Sequence, residues 1–308
     1  MKKDELMYKY PIEENDGWKE LSGELPVKMT NDYLFRALLQ SDEKTLVALL
    51  TSVLKLETGK IRSAKVTNPI LLGTTIDSKT FVMDVTVQLN NDAIINLEMQ
   101  VIREKWWQER SLSYICRSYD NLNKGMPYGE AKGVKQVAFC DFTLFQEKPE
   151  FYASYKILNE RHPEIVYSEK IGIINIDLTR IDLAEDTDRE FRIDLWAGFF
   201  KAETWEDFKM IAEKDEVIGK AVDSAWQIME DEVIREQCRA REEWIINDRY
   251  TKKLIAEQEE KLAEQDKKLA EQDKKLAEMD KKLAEQDEEN RRLRALLEEA
   301  GSEDRPGD

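Results

Sequence analysis

The sequence is poor in the side chains on which many catalytic sites depend. It has a single histidine, His162, and three cysteines among 308 residues. Multi-histidine metal sites are therefore excluded, and a Ser-His-Asp triad or a Cys-His pair would have to use that one imidazole. Cys116, Cys140 and Cys238 are far apart and odd in number, which argues against a disulfide scaffold or a zinc knuckle. Glycine-rich phosphate-binding motifs are absent too, so we expect carboxylates to carry any enzymatic chemistry.

Long apolar runs and an excess of positive charge are also missing. No uncharged apolar stretch reaches about 18 residues, and none follows the first five residues, so we expect neither a membrane span nor a secretory signal. With so few cysteines, a cytoplasmic protein is expected. The net charge is −17, and the residues before and after 251 are both acidic. This argues against tight non-specific nucleic-acid binding, although a divalent cation can reverse the charge locally.

Hydrophobic patterning predicts an N-terminal arm (1–27), one α/β domain (28–250) and a different kind of C-terminal segment. Thr30 or Asn31 is expected to cap a first helix that begins near Asp32. Residues 41–43 are expected to cap a second helix. The predicted strands are 65–72, 80–89, 93–102, 134–145 and 165–178, with a helix over 104–123. Residues 196–250 are predicted to be helical.

A seven-residue repeat fills much of the segment 251–300. Its leucines recur at positions 262, 269, 276 and 283, which is a heptad signature. If they occupy position a, however, position d is mostly glutamine. Lysines and acids three and four residues apart would support a solvated single helix equally well. Homo-oligomerisation through residues 255–297 and a lone charged helix both stay open, and residues 301–308 are expected to be disordered.

The two strands at 80–89 and 93–102 are expected to form a β-hairpin around residues 90–92, which are Asn-Asn-Asp. Each strand has one apolar and one mostly polar face. The apolar faces must coincide to form a core. A three-residue turn, with Leu89 opposite Ala93, achieves this, whereas a two-residue turn flips one face relative to the other.

That register places Asp84 opposite Glu98 and puts Gln100 on the same face. Two facing carboxylates without a lysine or arginine on their face repel each other, and Mg²⁺ bound between them relieves the repulsion. The Gln100 amide could orient a water or a phosphate oxygen without adding charge. A solvated outer face of an ordinary hairpin is the alternative interpretation.

The pattern of Asp84 followed by Asn-Leu-Glu-Met-Gln at 96–100 resembles the motif of the PD-(D/E)xK superfamily, and in particular the recombination-promoting nuclease / putative transposase family. Matches of context are Asn31-Asp32-x-x-Phe35, the helix around Arg110 and the helical block 196–250. The resemblance implies an α/β (α+β) restriction-endonuclease-like core, with a mixed sheet flanked by helices, and a C-terminal helical or coiled-coil tail. It also implies DNA hydrolysis that depends on Mg²⁺, for which Mn²⁺ could substitute, and a link to recombination or mobile elements.

Carried over by this resemblance, Asp84 and Glu98 are metal ligands and Gln100 is a third catalytic residue. Gln100 stands where the wider superfamily usually has lysine, so positive charge is missing at that place. Asp32 is a possible auxiliary acid, or a first-turn residue favourable to the helix dipole. Arg110 is a second auxiliary candidate, because it could tie its helix to the site.

The helix at 104–123 and its flanks are the candidate nucleic-acid surface. Arg103, Lys105, Arg117 and Lys124 give it local positive charge, and interleaved tryptophan and tyrosine could stack on unpaired bases. Aromatic residues at helical spacing are more often core. The sequence therefore favours a metal-dependent DNA endonuclease, with a catalytically weak or inactive nuclease-fold interaction protein, acting through its tail, as the alternative.

Overall fold

A computed structural model of the protein describes residues 16–69 and 85–303, with side chains as far as residue 295. Asp84 lies outside the described residues, as do residues 70–72 and 80–84 of the predicted strands. None of the helices in the described part of the chain combines the length and apolar character needed to cross a bilayer.

The described residues form eight α-helices and six β-strands. The helices are α1 (Asp32–Ser41), α2 (Glu43–Val53), α3 (Trp107–Tyr119), α4 (Asp186–Glu190), α5 (Ile193–Lys201), α6 (Trp205–Ala212), α7 (Glu216–Glu230) and α8 (Glu232–Glu303). The strands are β1 (Ala64–Val66), β2 (Val85–Leu89), β3 (Ala93–Gln100), β4 (Gly133–Cys140), β5 (Tyr152–Leu158) and β6 (Val166–Asp177).

Capping side chains set the starts of the first two helices as the sequence predicts. Asn31 Oδ1 accepts hydrogen bonds from the backbone N–H groups of Tyr33 and Leu34, at 3.0 and 3.3 Å. Asp42 accepts from the N–H of Lys44 at 2.9 Å and begins α2 in the same way. Both predicted helix starts are confirmed.

The six strands form one mixed sheet in the order β1-β2-β3-β4-β6-β5. The β2–β3 hairpin has the predicted three-residue turn, because Leu89 pairs with Ala93 and Val85 with Leu97. Asn90 and Asn91 take positive φ values of 49° and 64° there, a conformation that asparagine tolerates better than most residues. Strands β3, β4 and β6 run parallel to one another in the centre of the sheet.

The apolar face of the sheet packs against helices in a single large core. Ile95, Leu97 and Met99 of β3 are buried there together with Phe35 of α1 and Phe200 of α5. The opposite face of the central strands is polar and is covered in part by α3. The fold class expected from the sequence, a restriction-endonuclease-like α/β core with a long C-terminal helix, is confirmed.

Several elements differ from the predictions. Strand β1 ends at Val66, although the predicted strand continues through the described residues 67–69. Strand β5 has no predicted counterpart, and it pairs antiparallel with β6 at the edge of the sheet. Strand β4 ends at Cys140, five residues before the predicted end, and α3 is confined to the middle of its predicted range. Helix α8 continues to Glu303, into the segment expected to be disordered.

The described chain divides into two compact units, one up to residue 243 and one from residue 244 onward. The division falls seven residues before the predicted boundary at 250. In the second unit, residues 251–295 are all exposed to solvent.

Candidate active site

Glu98 lies at the centre of the polar face of the sheet. Strand alternation turns Leu97 and Met99 into the core, so Glu98 and Gln100 project from the other side. Glu98 is nevertheless only 3% exposed, because α3 covers this part of the face. A carboxylate at that depth needs partners that compensate its charge.

Two described side chains hold the two oxygens of Glu98. Arg110 of α3 donates from Nη2 to Oε1 in a short ion pair. Gln136 of β4 donates from Nε2 to Oε2 at 3.2 Å. In the parallel pairing of β3 with β4, Gln136 lies beside Asn96. Asn96 is two residues before Glu98 on the same face of the sheet, so the Gln136 side chain can contact Glu98.

Arg110 is itself fixed by α3 and the loop before it. Its Nη1 donates to Glu104 Oε2 at 2.7 Å, and its guanidinium lies 5.1 Å from the ring centroid of Trp107 and 5.5 Å from that of Tyr114. Burial lowers the pKa of Arg110, but the carboxylates of Glu98 and Glu104 outweigh burial, so the pKa lies above its ordinary value. Arg110 is therefore a permanent cation against Glu98.

Gln100 is tied into the same group of side chains. Its Nε2 donates to the backbone carbonyl of Ile102 at 2.6 Å. Its Oε1 lies 3.5 Å from Arg110 Nη2, at the limit of a hydrogen bond. The amide is thus oriented by the strand end, and its oxygen points toward the guanidinium that also holds Glu98.

The polar row continues across the neighbouring parallel strands. The register places Cys140 beside Gln100, and Asp177 of β6 beside Cys140. Burial, with smaller contributions from Glu98 and Asp177, raises the pKa of the Cys140 thiol far above its usual range. Cys140 is therefore a neutral side chain between Gln100 and Asp177.

Several buried polar atoms of this site, three acceptor oxygens and the donor Arg110 Nε, have no partner among the described residues. Gln136 Oε1, Asn175 Oδ1 and Asp177 Oδ2 are buried and have no hydrogen-bond partner among the described residues. A cavity of about 20 Å³ beside Asn175 and Asp177 has room for about one water. Unmatched acceptors next to carboxylates are an environment that favours a cation or ordered water over an apolar ligand.

The structure brings together some of the predicted site residues and separates others. Glu98, Gln100 and Arg110 form one connected group. Asp32 belongs to another, since both of its oxygens accept from Arg241 Nε, at 2.9 and 2.8 Å. Asp84 lies outside the described residues.

The four basic residues of the candidate nucleic-acid surface, Arg103, Lys105, Arg117 and Lys124, are all exposed. The two neighbouring tryptophans differ in exposure. Trp107 is 1% exposed and belongs to a small core under α3, whereas Trp106 is 63% exposed, with Lys105 Nζ 5.0 Å from its ring centroid. The core interpretation is therefore correct for Trp107, and Trp106 is available for stacking.

Gln136 and Asp177 are site residues that the sequence analysis missed. Gln136 directly precedes the apolar run that begins at Val137, and Asp177 directly follows Ile176, but other polar residues in both strands weaken this signal. The contact of Gln136 with Glu98, and the place of Asp177 in the same polar row, depend on β3, β4 and β6 being parallel neighbours. Strand order is not visible in the local hydrophobic pattern.

A mixed sheet flanked by helices, with a buried glutamate on a central strand beside a hairpin, defines a restriction-endonuclease-like α/β protein. The chain belongs to the PD-(D/E)XK nuclease family transposase family, whose model matches residues 29–254. The match includes every strand of the sheet and ends shortly after the first compact unit. Comparison with curated proteins and with solved structures gave no match.

Proposed function

We propose that the protein is a divalent-metal-dependent nuclease that hydrolyses phosphodiester bonds of DNA, with Mg²⁺ as the natural ion and Mn²⁺ as a substitute. The observation that carries this proposal is the environment of Glu98, a carboxylate buried on a central strand and contacted by Arg110 and Gln136. A buried acid beside unmatched acceptor oxygens suits cation chemistry better than a solvated sheet surface does. Family membership supports nuclease activity in general.

The residues present fit a divalent cation by the chemistry of their donors. Glu98 and, from the sequence, Asp84 would hold the ion, which prefers few carboxylates together with water and phosphate oxygens. When bound, such an ion supplies Lewis-acid activation and neutralises phosphate charge. Gln136 fixes one oxygen of Glu98, and Arg110 compensates the charge of the other. Gln100, whose amide is anchored at Ile102, orients a polar group of the substrate or an attacking water.

Cleavage of supercoiled plasmid tests this proposal directly. Purified protein with Mg²⁺ or Mn²⁺ is expected to nick the plasmid, and EDTA to stop the reaction. Asp84→Asn and Glu98→Gln keep side-chain size and should abolish cleavage, whereas Glu109→Gln, an exposed acid of α3, should not. Unchanged rates in both site variants would remove these residues from the mechanism. The same assay with an RNA substrate shows whether the protein cleaves DNA, RNA or both.

We propose that DNA lies along the outer side of α3 and its flanks. Arg103, Lys105, Arg117 and Lys124 are exposed, on a chain whose net charge is −17. Changing all four to glutamine should weaken DNA binding in EDTA at least tenfold and flatten its salt dependence, since each lost phosphate contact lowers the slope by about one. The matched control changes four other exposed basic residues: Lys44, Lys60, Arg62 and Lys214. If DNA binding weakens equally in both variants, the effect comes from net charge, and the proposed surface on α3 is wrong.

A second candidate is a nuclease-fold interaction protein with little or no catalysis. The observation in its favour is that Glu98 is already neutralised by Arg110 and that the Gln100 nitrogen is committed to a backbone carbonyl. Among residues 16–69 and 85–303, no group of three or more histidine, cysteine or acidic side chains is placed to bind a metal. Folded protein that binds DNA without cleaving it, under any divalent ion, would favour this candidate.

We further propose that the protein is cytoplasmic and that it forms homo-oligomers through residues 255–297. The repeated leucines of this segment are about 60% exposed on α8, and a row of exposed leucines on one helix is stabilised by a partner.

A further inference from the structure

The geometry of the second compact unit points to a parallel, two-chain coiled coil in which a second copy of this protein is the partner. This inference rests on the proposed self-association and is independent of nuclease activity. Leu262, Leu269, Leu276 and Leu283 are 60%, 60%, 62% and 61% exposed. They lie on one stripe of α8, seven residues apart, and no described residue of the chain covers them.

The charged residues that flank this stripe are sorted by sign. With the leucines at position a, position e is aspartate at residues 266, 273, 280 and 287, and position g is lysine at residues 261, 268, 275 and 282. In a parallel pair, each g residue faces the e residue of the next heptad on the partner. Every such contact here joins a lysine to an aspartate, for example Lys268 to the second copy's residue 273.

An antiparallel pair would have the opposite effect. Its flanking contacts join g to g and e to e, so lysine would meet lysine and aspartate would meet aspartate along the whole interface. Like charges placed side by side destabilise a helix pair. The charge pattern therefore selects the parallel arrangement and disfavours the antiparallel one.

A solvated single helix accounts for the lysines but not for the aspartates. Lys268 and Lys275 bind Glu264 and Glu271 within the helix, each at 2.8 Å. Asp266, Asp273 and Asp280, by contrast, have only leucine and alanine three and four residues away in either direction. They take part in no ion pair of the described helix. A partner helix supplies the cations that this helix does not.

Cysteine cross-linking of the full-length protein tests the orientation. The exposed Cys116 is first changed to serine, because the other two cysteines are buried. Gln265→Cys and Gln286→Cys are then made separately, at d positions about 30 Å apart along the helix. A parallel pair forms disulfide-linked dimers of each variant alone. A mixture of the two, one of them carrying a size tag, gives no mixed dimer.

Each other outcome of this test overturns the inference in a different way. A dimeric mass by light scattering without a disulfide-linked dimer of either variant alone excludes the parallel pair, so self-association survives and the orientation fails. No cross-linking, together with a monomeric mass by light scattering, removes self-association and leaves a lone charged helix. A failure to cleave DNA changes neither result, because no step of the experiment uses catalysis.

Charge variants test the cause of the orientation. Changing Asp266, Asp273 and Asp280 to lysine should raise the dimer dissociation constant roughly tenfold or more at low salt. Changing Glu264, Glu271 and Glu278 to lysine is the control, with the same charge difference at position c, away from the interface. Because this control also breaks the intrahelical ion pairs of Lys268 and Lys275, the helix content of both variants is compared by circular dichroism. Equal weakening by both sets, measured by sedimentation equilibrium, would contradict pairing between positions e and g.

Discussion

A single guanidinium dominates the surroundings of Glu98. Arg110 contacts Glu98 and Glu104 while it packs beside two aromatic rings. The wider superfamily resemblance places lysine where this chain has Gln100, so the strand itself contributes no cation. Arg110 provides positive charge from α3 instead. In the proposed function, the same guanidinium occupies a carboxylate oxygen that the metal ion would use, so Arg110 and the ion would compete for Glu98.

The competition predicts opposite effects of Arg110→Gln on stability and on metal binding. Without a cation beside it, the buried Glu98 should lower the free energy of unfolding by about 1–3 kcal/mol, less than for a fully buried pair because the Arg110 side chain is 28% exposed. Mg²⁺ should then raise the melting temperature more in the variant than in the parent. Arg117→Gln, exposed on the same helix, is the control. Equal Mg²⁺-induced shifts in parent and variant would contradict competition.

The cysteines give a second prediction for individual residues. Burial raises the pKa of Cys140 and of Cys238 far above the usual range, so their reactive thiolate fraction at neutral pH is very small. Cys116 is exposed. A thiol reagent such as dithiobis(nitrobenzoate) should therefore modify one cysteine in the folded protein and three after denaturation. Cys116→Ser should leave none reactive in the folded state, and rapid labelling of that variant would show that β4 or α8 opens readily.

At the scale of elements, buried polar contacts hold the start of α1 against the beginning of α8. Asp32 accepts from Arg241 in a two-pronged ion pair, and the residues are 5% and 9% exposed. Next to it, Asn31 Nδ2 donates to the carbonyl of Cys238 at 3.0 Å. Because the polar groups at the start of α1 bind α8, we infer that Asp32 stabilises the fold and takes no direct part in catalysis.

The ion pair predicts a stability effect that is separable from catalysis. Arg241→Gln leaves the buried carboxylate of Asp32 without its cation and should cost about 3–5 kcal/mol. Replacing both partners, as Asp32→Leu with Arg241→Met, should recover part of that loss, because neither buried charge remains. Denaturant unfolding measures both. If Asp32→Asn abolishes DNA cleavage while it stays fully folded at the assay temperature, the auxiliary catalytic role is supported instead.

The elements that the sequence predicted best are those with local signals. The β2–β3 hairpin follows from strand alternation and an Asn-Asn-Asp turn, and both first helices follow from their caps. Strand β5 was missed because it is an exposed edge strand whose residues are mostly half-buried or solvated, so alternation is weak. Gln136 was missed for a different reason, because its contact with Glu98 depends on which strand lies next to β3. Such a contact is set by the tertiary fold.

For the whole molecule, net charge bears on DNA binding by the domain, and the length of the repeat bears on self-association of the tail. The domain that contains Glu98 is acidic overall, so a basic helix and a bound cation would have to provide local attraction for DNA. The tail consists of near-identical units of seven residues. A repeat of this kind can lose a whole unit and keep its stripe of leucines in phase, whereas any other change of length shifts the stripe.

Two deletions in the tail use this difference. Removing residues 269–275 deletes one complete unit, so the remaining leucines stay on one face, and the dimer should survive with a weaker association. Removing residues 269–273 instead places the later leucines about half a turn away from Leu262, because each residue rotates the helix by about 100°. That variant should be monomeric at concentrations where the first is dimeric. Plasmid cleavage should be equal in both if the tail acts only in association. Loss of cleavage in the five-residue deletion alone would show that the nuclease works as a dimer.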